Sequence, residues 1–333
     1  MTKLDDDADR SAHGNATALG DTSKVRPSHR RSIAPFCAAL ISITTHAFAL
    51  DSSESATLDE VVVTATRDAR AIADVPASVS VVTHDEIANT PAQSLDDVLR
   101  RVPSVDVPVA ASYQLHPTSG NVSLRGLGGI RALVLLDGVP LNDPFFGYVQ
   151  WNRVPLESID RVEIVRGGGA ALWGNYAMGG VISIFTRAPD HDTVAAQGGT
   201  GNYGTWRSDA YAAHVVSDAV TFGIEASADH TDGFNTTPQD MRGPVNVPTA
   251  FTAHNVAFTG TYSLFPSLVA HTRIGFHSND QDLNSVLAFN TQRTWTYSAD
   301  ATQQLGDAGR VTATAFHNDS RFRTDNTDTP DGA

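Results

Sequence analysis

The chain has 333 residues, room for two domains at roughly 150 residues each, and a formal net charge of −14 with no concentrated basic patch, which excludes nucleic acid as its partner. Among its 23 basic residues only Lys3 and Lys24 are lysine, and Cys37 is its single cysteine. Once residues up to 49 are removed, no thiol and no ammonium side chain remain, so disulfides, thiol nucleophiles, Schiff-base lysines and P-loop lysines are ruled out together.

Residues 1–28 are polar, acidic and without periodicity, and read either as disordered sequence or as a start placed too early. No methionine lies between Met1 and Met178, so a later start needs another codon, for instance at Val25. Residues 29–49 carry a basic HRR, the apolar run IAPFCAALISI and Ala47-Phe48-Ala49, the marks of an export signal cleaved after Ala49. The apolar run is short of the ~20 residues that span a membrane as a helix. A buried core helix is the alternative. Residues 50–74 form a polar linker around LDEVVVTATR (58–67). Its valines suit either a strand added to another protein's sheet edge or the first strand of the domain that follows.

Residues 75–189 read as an α+β domain. Strands are expected at 78–83, 121–126 and 131–141, the last bent at Asp137-Gly138, and a helix at 94–102 with Ser94 as N-cap and Asp97 three residues on. Two further strands, IDRVEIVRG and GGVISIFTR, flank a cluster of six glycines: Gly167, Gly168, Gly169, Gly174, Gly179 and Gly180. This is no nucleotide loop. Gly167 and Gly169 fit the first two positions of a dinucleotide fingerprint, but Leu172 stands at the third, and no lysine follows. Aromatic residues Tyr113, Phe145, Phe146, Tyr148 and Trp151 fall in the connecting segments.

From residue 192 the pattern alternates with period two. In 218–230 Val220, Phe222 and Ile224 oppose Thr221, Glu225 and Ser227; in 292–302 Trp295 and Tyr297 oppose Thr294 and Thr296. Tight connections at 217–218, 265–267 and 306–309 alternate with long polar stretches at 231–250 and 279–292. That rhythm fits a transmembrane β-barrel, with a soluble β-sandwich as the alternative. Histidines are scattered, His271 and His277 reading as solvated lumen residues, and no metal or cofactor site is expected.

Three motifs occur in order. LDEVVVTATR resembles a TonB box, NVSLRGLGGIRALVLLDGVPLND the middle of a plug domain, and ESIDRVEIVRGGGAALWGNYAMGGVISIFTR its end. The chain thus resembles the TonB-dependent outer-membrane receptors from about residue 58 to 324. The resemblance implies an α+β plug domain followed by an antiparallel transmembrane β-barrel, with 190–333 supplying about seven strands of an expected 22. On that count the chain is a fragment or a truncated product, inactive alone. It implies TonB gripping Asp59, Glu60, Val61, Val62, Val63, Thr64 and Ala65, outer-membrane lipid around the barrel, and no enzymatic activity. It also implies contacts from Arg125 and Arg166 to carboxylates on the barrel wall, and glycines that let the plug turn in a crowded lumen. The ligand is expected to be a ferric siderophore, then cobalamin, then haem, met by Tyr113, Phe145, Phe146, Tyr148 and Trp151. Those aromatics suit plug core or wall packing equally. A passive porin-like barrel is the alternative outside the family, and it would lack the box and the plug.

Overall fold

The computed structural model describes residues 61–62, 70–71, 77–108, 120–128, 130–169, 173–174, 176–188, 191–286 and 288–325. The expectations for the export signal and for Asp59, Glu60, Val63, Thr64, Ala65 and Tyr113 lie outside the described residues. Strands β1 (Val61–Val62) and β2 (Arg70–Ala71) pair antiparallel, Val61 opposite Ala71.

An α+β layer follows. Strand β3 (Ser78–Thr83) leads into α1 (His84–Ala88), then α2 (Leu95–Leu99), β4 (Val105–Asp106), β5 (Ser123–Leu124), β6 (Ala132–Leu136), β7 (Val139–Pro140), β8 (Ile159–Arg166) and β9 (Gly180–Thr186). The main sheet has the order β3-β8-β9-β6-β7, with β6 and β9 parallel and the other pairs antiparallel. Helix α1 gave no signal in the sequence because one turn and a half shows no period. Its start is nonetheless built in: Thr83 N–H donates to the Glu86 carboxylate at 2.9 Å and the Thr83 hydroxyl accepts from Glu86 N–H at 3.3 Å. Helix α2 stops at Leu99, short of the expected 102, because Pro103 pushes the residue before it out of the helical region. The apolar faces of α1, α2 and the sheet close one core around Leu95, Leu99, Ile159, Ile164 and Ile182.

Seven strands follow as an antiparallel meander: β10 (Thr193–Thr200), β11 (Trp206–Ser217), β12 (Val220–Thr231), β13 (Phe251–Phe265), β14 (Leu268–Ser285), β15 (Ala288–Gln304) and β16 (Arg310–Asp325). The sheet does not close among the described residues: β10 and β16 each pair on one side only. The expected polar loop at 279–292 is instead the tip of the β14–β15 hairpin, whose register runs on through Asp282 opposite Phe289. Polar residues occupy both faces along much of it, Asn279, Gln281, Asn290 and Gln292 buried and Asp280 and Asp282 exposed, so period two vanishes although pairing continues.

The sheet is inside out for a soluble protein. Phe258 and Ile274 are 57% and 47% exposed, and Trp295 and Tyr297 share that outer face. The opposite face packs on the plug-like layer and carries Asp209, Glu225, Asn255, Arg273, Asn290 and Gln292, all buried. A sandwich would bury the apolar face, so the soluble alternative fails on geometry. No helix among the described residues is long and apolar enough to cross a membrane, and strands of 12 to 18 residues in β11 to β16 exceed the ~9–11 needed by a tilted transmembrane strand. One end of the sheet holds the tight turns at 218–219 and 266–267. The other, the loop end, holds 201–205, 232–250 and the β14–β15 tip.

Candidate functional site

Two arrangements carry functional weight: the seam where the α+β layer meets the sheet, and the tip that this layer raises toward the loop end. At the seam, Arg153 Nη2 donates to Thr296 Oγ1 at 2.8 Å, Asn255 Nδ2 donates to the Asn152 carbonyl at 2.6 Å, Tyr211 Oη donates to the Arg187 carbonyl at 3.2 Å, and Gln150 bonds Gln292. Beneath them Arg273 clamps Glu225 with both guanidinium nitrogens, one contact at 2.8 Å, and Glu225 is 1% exposed. Asp137, in the β6–β7 turn, accepts from Thr186 N–H at 2.9 Å and from its hydroxyl at 2.8 Å. Burial raises its pKa above the usual carboxylate value, and the attraction of Arg273 opposes that shift only in part. Burial likewise lowers Arg153 to about 10. His277 is buried at this seam, its Nδ1 2.6 Å from Asn255 Oδ1, and is not the solvated lumen residue expected from sequence.

The tip is the loop Asp143–Tyr148. Asp143 N–H donates to the Tyr148 carbonyl at 2.8 Å and closes the loop, while Asp143 Oδ1 accepts from Phe145 N–H and Phe146 N–H. Phe145 is thereby left 82% exposed, with the Phe146 ring edge-on at 4.6 Å. The loop stands toward the loop end, since Gln150 just after it meets Gln292, four residues along β15 from Ala288. Tyr148 and Trp151 sit differently. Both are 2% exposed, Trp151 inside the hydrophobic core, so of the two alternatives open for these aromatics it takes the packing one. Burial, with Asp143 adding to it, raises the Tyr148 phenol well above its ordinary value.

The glycine cluster extends the β8–β9 hairpin. Gly167 N–H donates to the Gly179 carbonyl and Gly169 N–H to the Ala177 carbonyl, continuing the ladder past Arg166. Gly180 is required by its surroundings: at φ 141° an added Cβ would lie 2.1 Å from the Val165 carbonyl oxygen. Beside the cluster, Arg125 and Arg166 line a cavity of about 490 Å³ with Gly167, Gly168, Gly169 and Trp173. Arg166 does not reach the wall strands described here. Its Nη1 donates to Ser80 Oγ at 2.9 Å and its Nη2 to the Pro103 carbonyl at 2.8 Å, because β8 is an inner strand of the plug's own sheet. Burial and the neighbouring charge of Arg125 lower its pKa. Arg125 is exposed and likewise bonds no wall carboxylate among the described residues. Among the described residues, the hydrogen bonds that join plug and wall come from Gln150, Asn152, Arg153 and Arg187, and only Arg187 falls within a motif.

Residues 71–181 match the family model described as the TonB-dependent receptor plug domain. Two curated relatives are vitamin B12 transporters. That of Vibrio vulnificus is 38% identical over 152 residues, 46% of this chain and 24% of its own length, and that of Photobacterium profundum 33% identical over 205 residues, 61% and 32%. Residues 71–181 thus carry a TonB-dependent receptor plug domain, and the chain as a whole is similar to receptors of that kind. It spans about a quarter to a third of the length of these relatives. Among solved TonB-dependent receptors, the siderophore receptor PirA of Acinetobacter baumannii aligns with a TM-score of 0.60 at 18% identity, covering 73% of this chain and 40% of that one. PirA of Pseudomonas aeruginosa aligns with a TM-score of 0.56 at 21% identity, covering 74% and 41%. At that identity the likeness concerns the fold: a plug with the strands of a receptor barrel laid against it. The plug domain corresponds to the layer from β3 to β9, and the strands laid against it are β10 to β16.

Proposed function

We propose that the chain acts in TonB-dependent uptake of a scarce nutrient across the outer membrane, as a receptor and not as an enzyme. The observation that carries this reading is the inside-out sheet with a plug packed on its polar face. Such a sheet suits lipid outside and a guarded lumen inside. The outer membrane holds no ATP and no sustained ion gradient, so work arrives through TonB, drawing on Asp59, Glu60, Val61, Val62, Val63, Thr64 and Ala65. Export uses residues 29–49, with cleavage after Ala49. Arg125 and Arg166 serve carboxylates on further barrel wall, a role supported by two cations sharing one cavity that no carboxylate lines among the described residues. The ligand meets the plug tip. A ferric siderophore stands first on the sequence, and the names of two vitamin B12 transporters among the relatives support a cobalamin as the second candidate.

The test separates binding from energised uptake. Deleting Asp59–Ala65 is expected to abolish ligand accumulation in energised cells while leaving binding to outer-membrane fractions unchanged. Accumulation that survives the deletion would refute the coupling.

A further inference from the structure

The plug tip is held in shape from beneath. Strand β7 is two residues long, Leu141 N–H still reaches the Val134 carbonyl at 2.9 Å, and from there the side chain of Asn142 takes over the pairing with β6. Its Oδ1 accepts from Val134 N–H at 2.8 Å, and its Nδ2 donates to the Ala132 carbonyl at 3.2 Å and to the Gly147 carbonyl at 3.1 Å. Val134 N–H can only donate, which fixes the orientation of the amide. The buried side chain thus stands in for a peptide group and ties both ends of the tip to the edge of the sheet.

Asp143 sets the curvature above that base. Its Oδ1 receives Phe145 N–H at 2.9 Å and Phe146 N–H at 2.7 Å. Its own N–H donates to the Tyr148 carbonyl and its carbonyl accepts from Gly147 N–H, both at 2.8 Å. Gly147, at φ 73°, completes the reversal against Ile130, whose Cδ1 would lie 2.8 Å from an added Cβ. The Phe146 ring lies 5.9 Å from that of buried Tyr148, and Phe145 stands edge-on to Phe146. A free loop would turn a phenyl ring from water. Here two N–H bonds to one carboxylate hold Phe145 out in it.

We propose that Asn142 and Asp143 are positioning residues for the ligand, an inference that rests on the uptake reading, in which the ligand meets the tip. Neither meets it directly: Asn142 is 7% exposed, and Asp143 Oδ1 is taken by the loop's own amides. They hold Phe145 and Phe146 in the arrangement the ligand meets, so the cost of ordering the loop falls on folding and not on binding. Losing that hold has a kinetic signature. A tip competent only part of the time lowers the apparent affinity by that fraction, through the association rate. A lost contact acts mainly on the dissociation rate.

The full chain, in outer-membrane fractions, would be titrated with cyanocobalamin and with ferric enterobactin, as the parent and as Asp143→Ala, Asp143→Asn and Phe145→Ala. Amide exchange across 143–149 would be followed without probe. Asp143→Ala is expected to raise that exchange and to lower affinity about tenfold or more, with the dissociation rate unchanged. Asp143→Asn keeps an Oδ1 acceptor for both N–H groups and should stay within about threefold of the parent. Phe145→Ala should instead raise the dissociation rate. Asp143 is half-buried in a loop, so its variants should fold, which heat-modifiability on a gel checks. Asp143→Ser, a weaker acceptor of the same kind, should fall between alanine and asparagine and carries the test if alanine unfolds the plug.

Unchanged exchange or unchanged affinity in Asp143→Ala would overturn the inference. So would a loss carried by the dissociation rate or shared by Asp143→Asn, because the carboxylate would then be meeting the ligand itself. The uptake reading survives each of these. It fails separately, when a bound probe does not accumulate in energised cells; when neither probe binds the parent, both readings fall.

Discussion

Arg273 and Glu225 form a buried ion pair on the wall face that the plug covers, and its two halves are not equivalent. Changing Arg273→Met strands Glu225, which is 1% exposed, and also takes from Asp137 the cation that attracts it. Removing one partner of a buried pair typically costs about 3–5 kcal/mol, and this variant belongs at the upper end of that range. Glu225→Gln strands Arg273 instead, but Asp137 still faces it. At an effective dielectric constant of about 20 a charge pair is worth about 4 kcal/mol at about 4 Å and about half that at twice the distance. Asp137 attracts without bonding, so Glu225→Gln should cost only about 1–3 kcal/mol. The double variant Glu225→Leu with Arg273→Leu removes both charges and should fall within about 1–2 kcal/mol of the parent. Calorimetric unfolding in detergent micelles would rank the three by transition temperature. The reasoning is refuted if Glu225→Gln is as damaging as Arg273→Met, or if the double variant is worse than either single one.

Three further expectations concern other parts of the molecule. Gly180→Ala should prevent the plug from seating, because its Cβ would meet the Val165 carbonyl at 2.1 Å, whereas Gly168→Ala, with open space around it, should fold normally; limited proteolysis of the two would show this. Asp137 has a raised folded-state pKa, so the stability it contributes is full below its unfolded value near about 3.9 and is lost as pH rises through the folded value. Asp137→Asn should therefore be at least as stable as the parent at neutral pH and lose that advantage on acidification, as unfolding temperatures across pH would record. Asn284, at φ 59°, accepts Thr236 N–H through Oδ1 at 3.1 Å and donates Nδ2 to Thr237 at 2.6 Å, stitching loop 232–250 to the β14–β15 tip. Asn284→Ala should leave the strands intact but raise amide exchange across 232–250 by about ten- to a hundredfold, the loss of about 1–3 kcal/mol of local hydrogen bonding.

Much of this architecture was legible in the residues. Alternation in 218–230 and 292–302 placed β12 and β15 with their correct faces, since Phe222 and Trp295 can only point to lipid once Glu225 and Thr296 point inward. The bend at Asp137-Gly138 split β6 from β7 where expected. The hairpin tip at 279–292 was illegible because its buried face carries Asn279, Gln281, Asn290 and Gln292 while Asp280 and Asp282 lie exposed on the other, so period two carries no information. Trp151 could not be told apart from Phe145 in the sequence, since nothing local distinguishes a loop aromatic that packs inward from one that points out. The partners of Arg166 among the described residues, Ser80 and Pro103, were illegible because strand order alone brings them near. The seam bonds of Gln150, Asn152 and Arg153 join residues more than 100 positions apart. They use amides, a carbonyl, a hydroxyl and one guanidinium that bonds no carboxylate among the described residues, none of which leaves a mark in a sequence.

The central claim is that β10 to β16 turn their apolar face to lipid and their polar face to the plug. Spin labels placed singly at Thr294, Trp295, Thr296, Tyr297, Ser298 and Ala299, in a Cys37→Ser background, would measure it by collision with lipid-soluble oxygen and with a water-soluble nickel chelate. The account predicts high oxygen accessibility at 295, 297 and 299, and protection from both reagents at 294, 296 and 298. Accessibility without period two, or with the even positions exposed to oxygen, would contradict it.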